Sequence, residues 1–313
     1  MSLVLLVLAL VAQVPTTQAP DPHEARQLPS AQALPPIYVP QRVYDTERRT
    51  FTDFETMVAA LAGADVVFVG EQHDDPYTHR LELALLEGLQ RRRVPVTVSL
   101  EMFDRDVQGT LNQYLTSATS EAEFLKSSRP WPRYATDYRP LVELAKAHGW
   151  FVIAANVPRR HASAVAKSGL GAIADLPEHE RPHAARDLQC PRDAYFDRFA
   201  ATMADHPGEK GKGTPPPADE RARTERYFES QCVKDETMAE SIAAAIEGKP
   251  GPLVHVSGAF HSDFAEGVVE RTRRRLPGRT IVVLSILPVE DLDSLAPAGD
   301  DLRRADYLVY TIK

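Results

Sequence analysis

Short apolar runs recur along the chain at Val66–Val69, Val96–Leu100, Phe151–Ala155, Leu253–Val256 and Thr280–Leu284, with Tyr307–Tyr310 as a last one near the C-terminus. They are rich in β-branched residues and nearly continuous. Alternation would mark a sheet with one wet face, whereas continuous runs mark strands covered on both faces, as in a parallel sheet. Between the runs the apolar period changes to three and four. Residues 77–92 carry Leu81, Leu85 and Leu89, and 138–148 carry Leu141, Leu144 and Ala145. Residues 224–247 carry Phe228, Met238, Ile242 and Ile246, and 263–275 carry Phe264, Val268 and Val269. Each set lines one face of a helix. Strands alternating with helices predict an α/β fold, a mainly parallel sheet flanked by helices and joined by right-handed crossovers.

The ends and one internal stretch break this rhythm. Residues 3–12, LVLLVLALVA, are too few for a transmembrane helix, which needs about 20 apolar residues. They fit the apolar region of a signal peptide over residues 1–19, with Thr17-Gln18-Ala19 as the best small-residue cleavage site. Prolines 15, 20, 22, 29, 35, 36 and 40 then predict a linker or extended arm over 20–50. Residues 51–313 read as one domain, interrupted near 206–219 by HPGEKGKGTPPPAD, the composition of an exposed loop.

Charge narrows the function classes. The 36 basic and 44 acidic side chains leave a net charge of -8, without the electrostatic footprint of a nucleic-acid binder. The local runs Arg91–Arg93 and Arg271, Arg273–Arg275 close helical patterns, where cations complement the helix dipole, and are read as solvated helix ends. Cys190 and Cys232 are either a disulfide, which an exporting route permits, or two buried thiols. No Cys-x-x-Cys spacing suggests a cysteine metal site.

Candidate chemistry lies just past the strands. After 66–69 come Gly70-Glu71-Gln72-His73, after 96–100 Glu101-Met102-Phe103, after 151–155 Asn156-Val157-Pro158, and after 253–256 Ser257-Gly258-Ala259-Phe260-His261. Ligands of open α/β sheets bind outside the carboxyl ends of the strands, so Glu71, His73, Glu101, Asn156 and His261 are predicted to line one polar pocket. Two histidines with a carboxylate (His73, His261, Glu71) suit a divalent metal with open positions. Equally, Glu71 or Glu101 suits a general base on water. The alternative is structural: Glu101 capping a helix and Asn156 satisfying loop backbone. His79 is placed on a helix surface, His161 at the opening of the next helix, and His23, His148, His179, His183 and His206 in solvated contexts.

The motifs Gly70-Glu71-Gln72-His73, Glu101-Met102-Phe103-Asp104-Arg105, Ala155-Asn156-Val157-Pro158-Arg159 and Gly258-Ala259-Phe260-His261 resemble, in order and spacing, those of the ChaN-like haem-binding uptake family. Asp235-Glu236-Thr237-Met238-Ala239-Glu240 and Ala305-Asp306-Tyr307 add to the resemblance. It implies haem binding in bacterial iron uptake by exported, periplasmic or envelope-associated proteins, with haem ligated by tyrosine at a subunit interface and hence a homodimer. The related Tiki and erythromycin-esterase-like proteins imply metal-dependent hydrolysis by Glu71, His73, Glu101 and His261 instead. No cysteine follows the apolar run as a lipid attachment point, which leaves membrane association open. A third reading keeps the fold with a degenerate site.

For haem, tyrosine phenolate is a reasonable ferric ligand. Tyr134 and Tyr138, in a Trp131-containing loop that enters a helix, are the candidates, with Arg133 or Arg139 for propionates. The competing reading packs that loop onto the core. Tyr195 and Tyr227 are further candidates.

Overall fold

The computed structural model describes residues 38–205, 217–247 and 251–313. Its strands are β1 (Gln41–Asp45), β2 (Thr50–Thr52), β3 (Val66–Glu71), β4 (Thr97–Asp104), β5 (Phe151–Asn156), β6 (Leu253–Gly258), β7 (Ile281–Val289) and β8 (Tyr307–Ile312). They form one sheet in the order β2-β1-β8-β7-β3-β6-β4-β5. The six strands from β8 to β5 run parallel, and β1 joins β8 and β2 antiparallel at one edge. The predicted α/β class is therefore correct. So are all six predicted strands, most of which run on by one to five residues.

The helices are α1 (Phe54–Leu61), α2 (Pro76–Arg91), α3 (Gln108–Leu115), α4 (Glu121–Ser128), α5 (Tyr134–Asp137), α6 (Arg139–His148), α7 (Arg159–Ser168), α8 (Gly171–Ala174), α9 (Ala194–Asp205), α10 (Pro217–Ile246), α11 (Gly267–Arg275) and α12 (Asp301–Arg304). They cover both faces of the sheet. In the fully buried β3, Val67 and Val69 pack in the layer that holds Leu85 and Leu89 of α2. Val66 and Phe68 pack in the opposite layer with Met238 and Ile242 of α10. Each such side chain contributes about 1.5–3 kcal/mol of apolar burial, so the central strands anchor the fold. Helix α2 starts where it does because Asp75 caps it, accepting from Tyr77 N and Thr78 N at 3.1 Å, with Pro76 as its first residue.

Three expectations need correction. The arm predicted over 20–50 ends earlier, because β1 and β2 already belong to the sheet and Val43 is buried. Residues 1–37, with the expected signal peptide, lie outside the described residues, as do 206–216 of the expected loop; α10 has begun by Pro217. Of the arginines of α11, Arg273 is exposed as expected, but Arg271 is buried, and Arg274 and Arg275 pair with buried Glu236 of α10 at 2.8 and 2.6 Å. The two cysteines are joined, and the bridge ties the segment before α9 to the middle of α10. Among the described residues no helix is long and apolar enough to cross a membrane.

Candidate functional site

The carboxyl ends of β3, β4 and β6 meet at one rim, and each delivers the group its sequence promised. Glu71 ends β3 with its side chain fully buried. Its Oε1 accepts from the Tyr138 phenol at 2.8 Å and meets His73 Nδ1 at 2.5 Å. Two glycines make the close approach possible. A Cβ on Gly70 would stand 2.8 Å from Ser262 Oγ and 3.0 Å from Ala259 Cα. A Cβ on Gly258 would stand 2.6 Å from His73 Nε2. Glycine at 258 thus keeps the outer nitrogen of His73 approachable.

Glu101, from β4, is buried and holds the turn after β6. Its Oε2 accepts the Gly258 backbone N–H at 2.9 Å, and its Oε1 lies 3.3 Å from His261 Nε2. The other side of His261 belongs to α10: Nδ1 meets Asp235 Oδ1 at 2.5 Å, and Asp235 Oδ2 accepts from the Tyr195 phenol at 2.8 Å. Burial alone would discharge His261, but the two carboxylates outweigh it and push its pKa up to about 10. Burial would likewise raise Glu101, yet the charges of His261 and His73 hold it well below the usual carboxylate range. His261 is therefore a fixed cation at neutral pH. For His73, burial favours the neutral form, but the hydrogen bond to Glu71 and the charge of Glu101 carry its pKa above the ordinary value. His255 sits inside β6 against Ser99 Oγ, and burial lowers its pKa to about 3, so it is a neutral core residue.

Two cavities open on this rim. One, of about 350 Å³, is walled by His73, Glu101, Gln231, Gly258 and His261 on its polar side and by Phe199, Met203 and Phe260 on its apolar side. The other, of about 500 Å³, is walled by Asp104, Arg129, Asn156 and Arg159. Trp131 and Lys234 line both. Trp131 stands edge-on to His73 with ring centres 5.2 Å apart.

His73, Glu101 and His261 line the first cavity, Glu71 stands buried behind His73 and lines neither, and Asn156 reaches only the second, its Oδ1 accepting from Val157 N at 2.8 Å. Of the predicted metal set, Glu71 holds His73 Nδ1 while His261 Nδ1 meets Asp235, and among the described residues the three do not bring one ligand atom each within 4.8 Å of one another. The aromatic loop is also corrected. Tyr134 is buried against Phe103 and Phe124, and Tyr138 is buried with its phenol on Glu71, so neither presents an accessible phenolate. Burial holds both phenols well above the usual tyrosine range, further from the ionised ligand form. Arg133 and Arg139 already pair with Asp137 and Glu121. Tyr195 is buried, and Tyr227 is partly exposed on α10. His79, expected on a surface, is buried beside Glu82. Gln231 and Lys234, which sequence reasoning missed, and Asp235, which it named only within the motif Asp235–Glu240, come from α10. A run of acidic and amide groups beside the apolar Met238 and Ile242 was the available signal.

The sequence profile described as "Haem-binding uptake, Tiki superfamily, ChaN" matches residues 57–272. No curated protein matches the chain. Among solved structures, the one titled for cofacial heme binding to ChaN of Campylobacter jejuni superposes with a TM-score of 0.63 at 15% identity, covering 87% of this chain and 97% of that one. A Bacillus cereus protein gives a TM-score of 0.46 at 10% identity over 82% and 90% of the two chains. A mutant of the erythromycin esterase EreC gives 0.43 at 13% over 87% and 83%. The first likeness shows a shared fold, and the other two are too distant to carry more. With well over half of its length matched, this chain belongs to the haem-binding uptake family of the Tiki superfamily, the ChaN family.

Proposed function

We propose that the chain is an exported haem-binding protein that takes haem as cargo in bacterial iron handling, with His73 as the iron ligand. The observation that carries this is the pair of cavities joined at Trp131 and Lys234. The donor set fits the group. Glu71 holds the Nδ1 side of His73, which orients the ring and leaves Nε2 for iron, the arrangement that second-shell carboxylates give metal-bound imidazoles. Phe199, Phe260, Met203 and Trp131 supply apolar contact for a porphyrin. Lys234 and Arg159 form no ion pair among the described residues and suit two propionates. The family's haem binding and the cofacial haem binding of the Campylobacter jejuni ChaN support the reading. Export rests on the apolar run at 3–12 and predicts a mature N-terminus near residue 20. A homodimer around haem belongs to the same proposal and predicts a doubled mass by light scattering on hemin addition.

The test is hemin titration of the mature protein, read in the visible spectrum. We expect a saturable Soret shift that loses its axial-ligand signature in His73→Ala. Arg159→Ala with Lys234→Ala should weaken binding at least about tenfold, roughly 1.4 kcal/mol, without changing the bound spectrum. No saturable change, or an unaltered spectrum in His73→Ala, would refute the assignment.

A second reading is favoured by the fixed His261 cation on the wall that also presents His73. A base oriented by Glu71 beside a buried positive charge is also a hydrolytic arrangement. It predicts slow hydrolysis of activated esters, reduced about 10²-fold or more in both Glu71→Gln and His73→Ala. A flat response across ester chain lengths and in both variants dismisses it.

A further inference from the structure

Behind the His73 cavity, Glu71 turns its second oxygen towards a group that neither function uses. Helix α2 presents His79 and Glu82 three residues apart on its buried face. His79 Nδ1 lies 3.2 Å from Glu82 Oε2 and 3.7 Å from Glu71 Oε2. One ligand atom from each of the three residues falls within 4.8 Å of the others, and all three side chains are buried. Glu71 Oε2 and Glu82 Oε1 accept no hydrogen bond. Buried carboxylate oxygens without a donor are costly, by about 1–3 kcal/mol each and more when charged.

The tautomer of His79 sharpens the problem. Its Nε2 lies 3.2 Å from the backbone carbonyl of His73 and 3.4 Å from Asp137 Oδ2. A carbonyl only accepts, so Nε2 carries the hydrogen. In the neutral ring Nδ1 is then a lone pair, and it faces two carboxylate oxygens. With the ring neutral, three acceptors then converge with no donor among them. Asp137 offers no relief, because its charge is matched by Arg133 at 2.7 Å. Tyr138, packed on the same residues, gives its hydrogen to the other oxygen of Glu71.

We propose that Glu71, His79 and Glu82 bind a divalent first-row transition-metal ion. A 2+ charge balances two carboxylates beside a neutral imidazole. Ligand atoms about 3.4 Å apart are what bonds of 2.0–2.2 Å give in a tetrahedral shell, close to the 3.2 and 3.7 Å observed here. One nitrogen with carboxylate oxygens suits Zn²⁺, Mn²⁺ or Fe²⁺. The outward Nε2–H, held by the His73 carbonyl, is the outer support such a ligand takes. The ion would fix Glu71 and through it the ring of His73. The site stands whether or not the cavity in front takes haem.

The test uses the full mature protein. Metal content of protein purified without chelator is measured by mass spectrometry, with haem iron counted separately from the visible spectrum. Chelator-stripped protein is then titrated with Zn²⁺ and with Mn²⁺ and followed by thermal unfolding. We expect about one equivalent of metal per chain and a saturable rise in Tm. Glu82→Gln should weaken binding at least about tenfold, and Glu87→Gln, on the exposed side of α2, should not. A wild-type protein that carries no metal and shows no shift with either ion overturns the proposal. So does a Glu82→Gln protein that binds metal as the wild type does. A more stable Glu82→Gln with no metal in either protein would show that the group holds a proton instead.

Discussion

At the scale of single residues, the site is a set of histidines whose states are chosen by carboxylates. His261 shows the consequence most directly. Its folded pKa of about 10 lies above the unfolded value near 6.5, so folding favours the protonated ring. That contribution is fully present below pH ~6.5 and is lost as pH rises through about 10. Glu101 acts in the opposite direction: its carboxyl is held below the ordinary range, so its contribution is present above the unfolded value and lost in acid. Urea unfolding as a function of pH should therefore show stability falling on the alkaline side. His261→Gln should flatten that limb and cost about 3–5 kcal/mol at neutral pH, because Glu101 and Asp235 would be left buried without their cation. An alkaline limb unchanged in the variant would contradict the assignment. Gly258 gives a second prediction. Alanine there needs the space of His73 Nε2, and the ring cannot swing freely while Glu71 holds it. We expect hemin affinity to fall about tenfold or more, with a stability cost of about 1–3 kcal/mol, in equilibrium titrations of Gly258→Ala.

At the scale of elements, legibility followed burial. Strands covered on both faces announced themselves as continuous apolar runs, and the rule that ligands gather at their carboxyl ends placed Glu71, His73, Glu101 and His261. Residues that enter the site from helices were harder to see, because their position depends on how the helix docks. Gln231 lines the cavity and Asp235 meets His261 only because α10 lies across β5 and β6. His79 looked like a surface residue until the buried set of α2, which includes Thr78, Leu81, Glu82, Leu85, Leu86 and Leu89, put it inside. Tyr134 and Tyr138 failed as ligands for the same reason: a loop rich in proline and aromatics folded inward. The disulfide acts at this scale too. It closes 42 residues of sequence and ties the segment leading to Tyr195 onto α10, where that phenol steadies Asp235. The loop-entropy relation gives about 4 kcal/mol for that length, and measured values commonly reach 2–4. Cys190→Ser with Cys232→Ser should lose that much in denaturant unfolding, and a loss under about 0.5 kcal/mol would mean that the bridge does not constrain the unfolded chain.

At the scale of the whole molecule, the sheet is wider than its sequence suggested. The pattern QRVYD of β1 is mostly polar and follows a proline-rich stretch, so it read as part of an arm. Its partner explains why it is a strand. β1 lies between β2 and β8, buries Val43 in one layer and Tyr44 in the other, and pairs its backbone with β8 from Gln41↔Thr311 to Asp45↔Tyr307. The two descriptions make opposite predictions about shortening the chain. If the domain began at residue 51, a protein starting there would be as stable as one starting at residue 39. The observed pairing says otherwise. Removing β1 and β2 uncovers the backbone edge of β8 and withdraws two largely buried side chains, about 3–6 kcal/mol of apolar burial, a large share of a typical domain's 5–15 kcal/mol. The exposed edge would also offer unpaired backbone groups to a second chain. We expect the chain from residue 39 to give a cooperative unfolding transition in calorimetry. The chain from residue 51 should melt well below it or aggregate as it is concentrated. Equal melting temperatures and equal solubility for the two would return β1 and β2 to the arm and leave β8 as the true edge of the sheet.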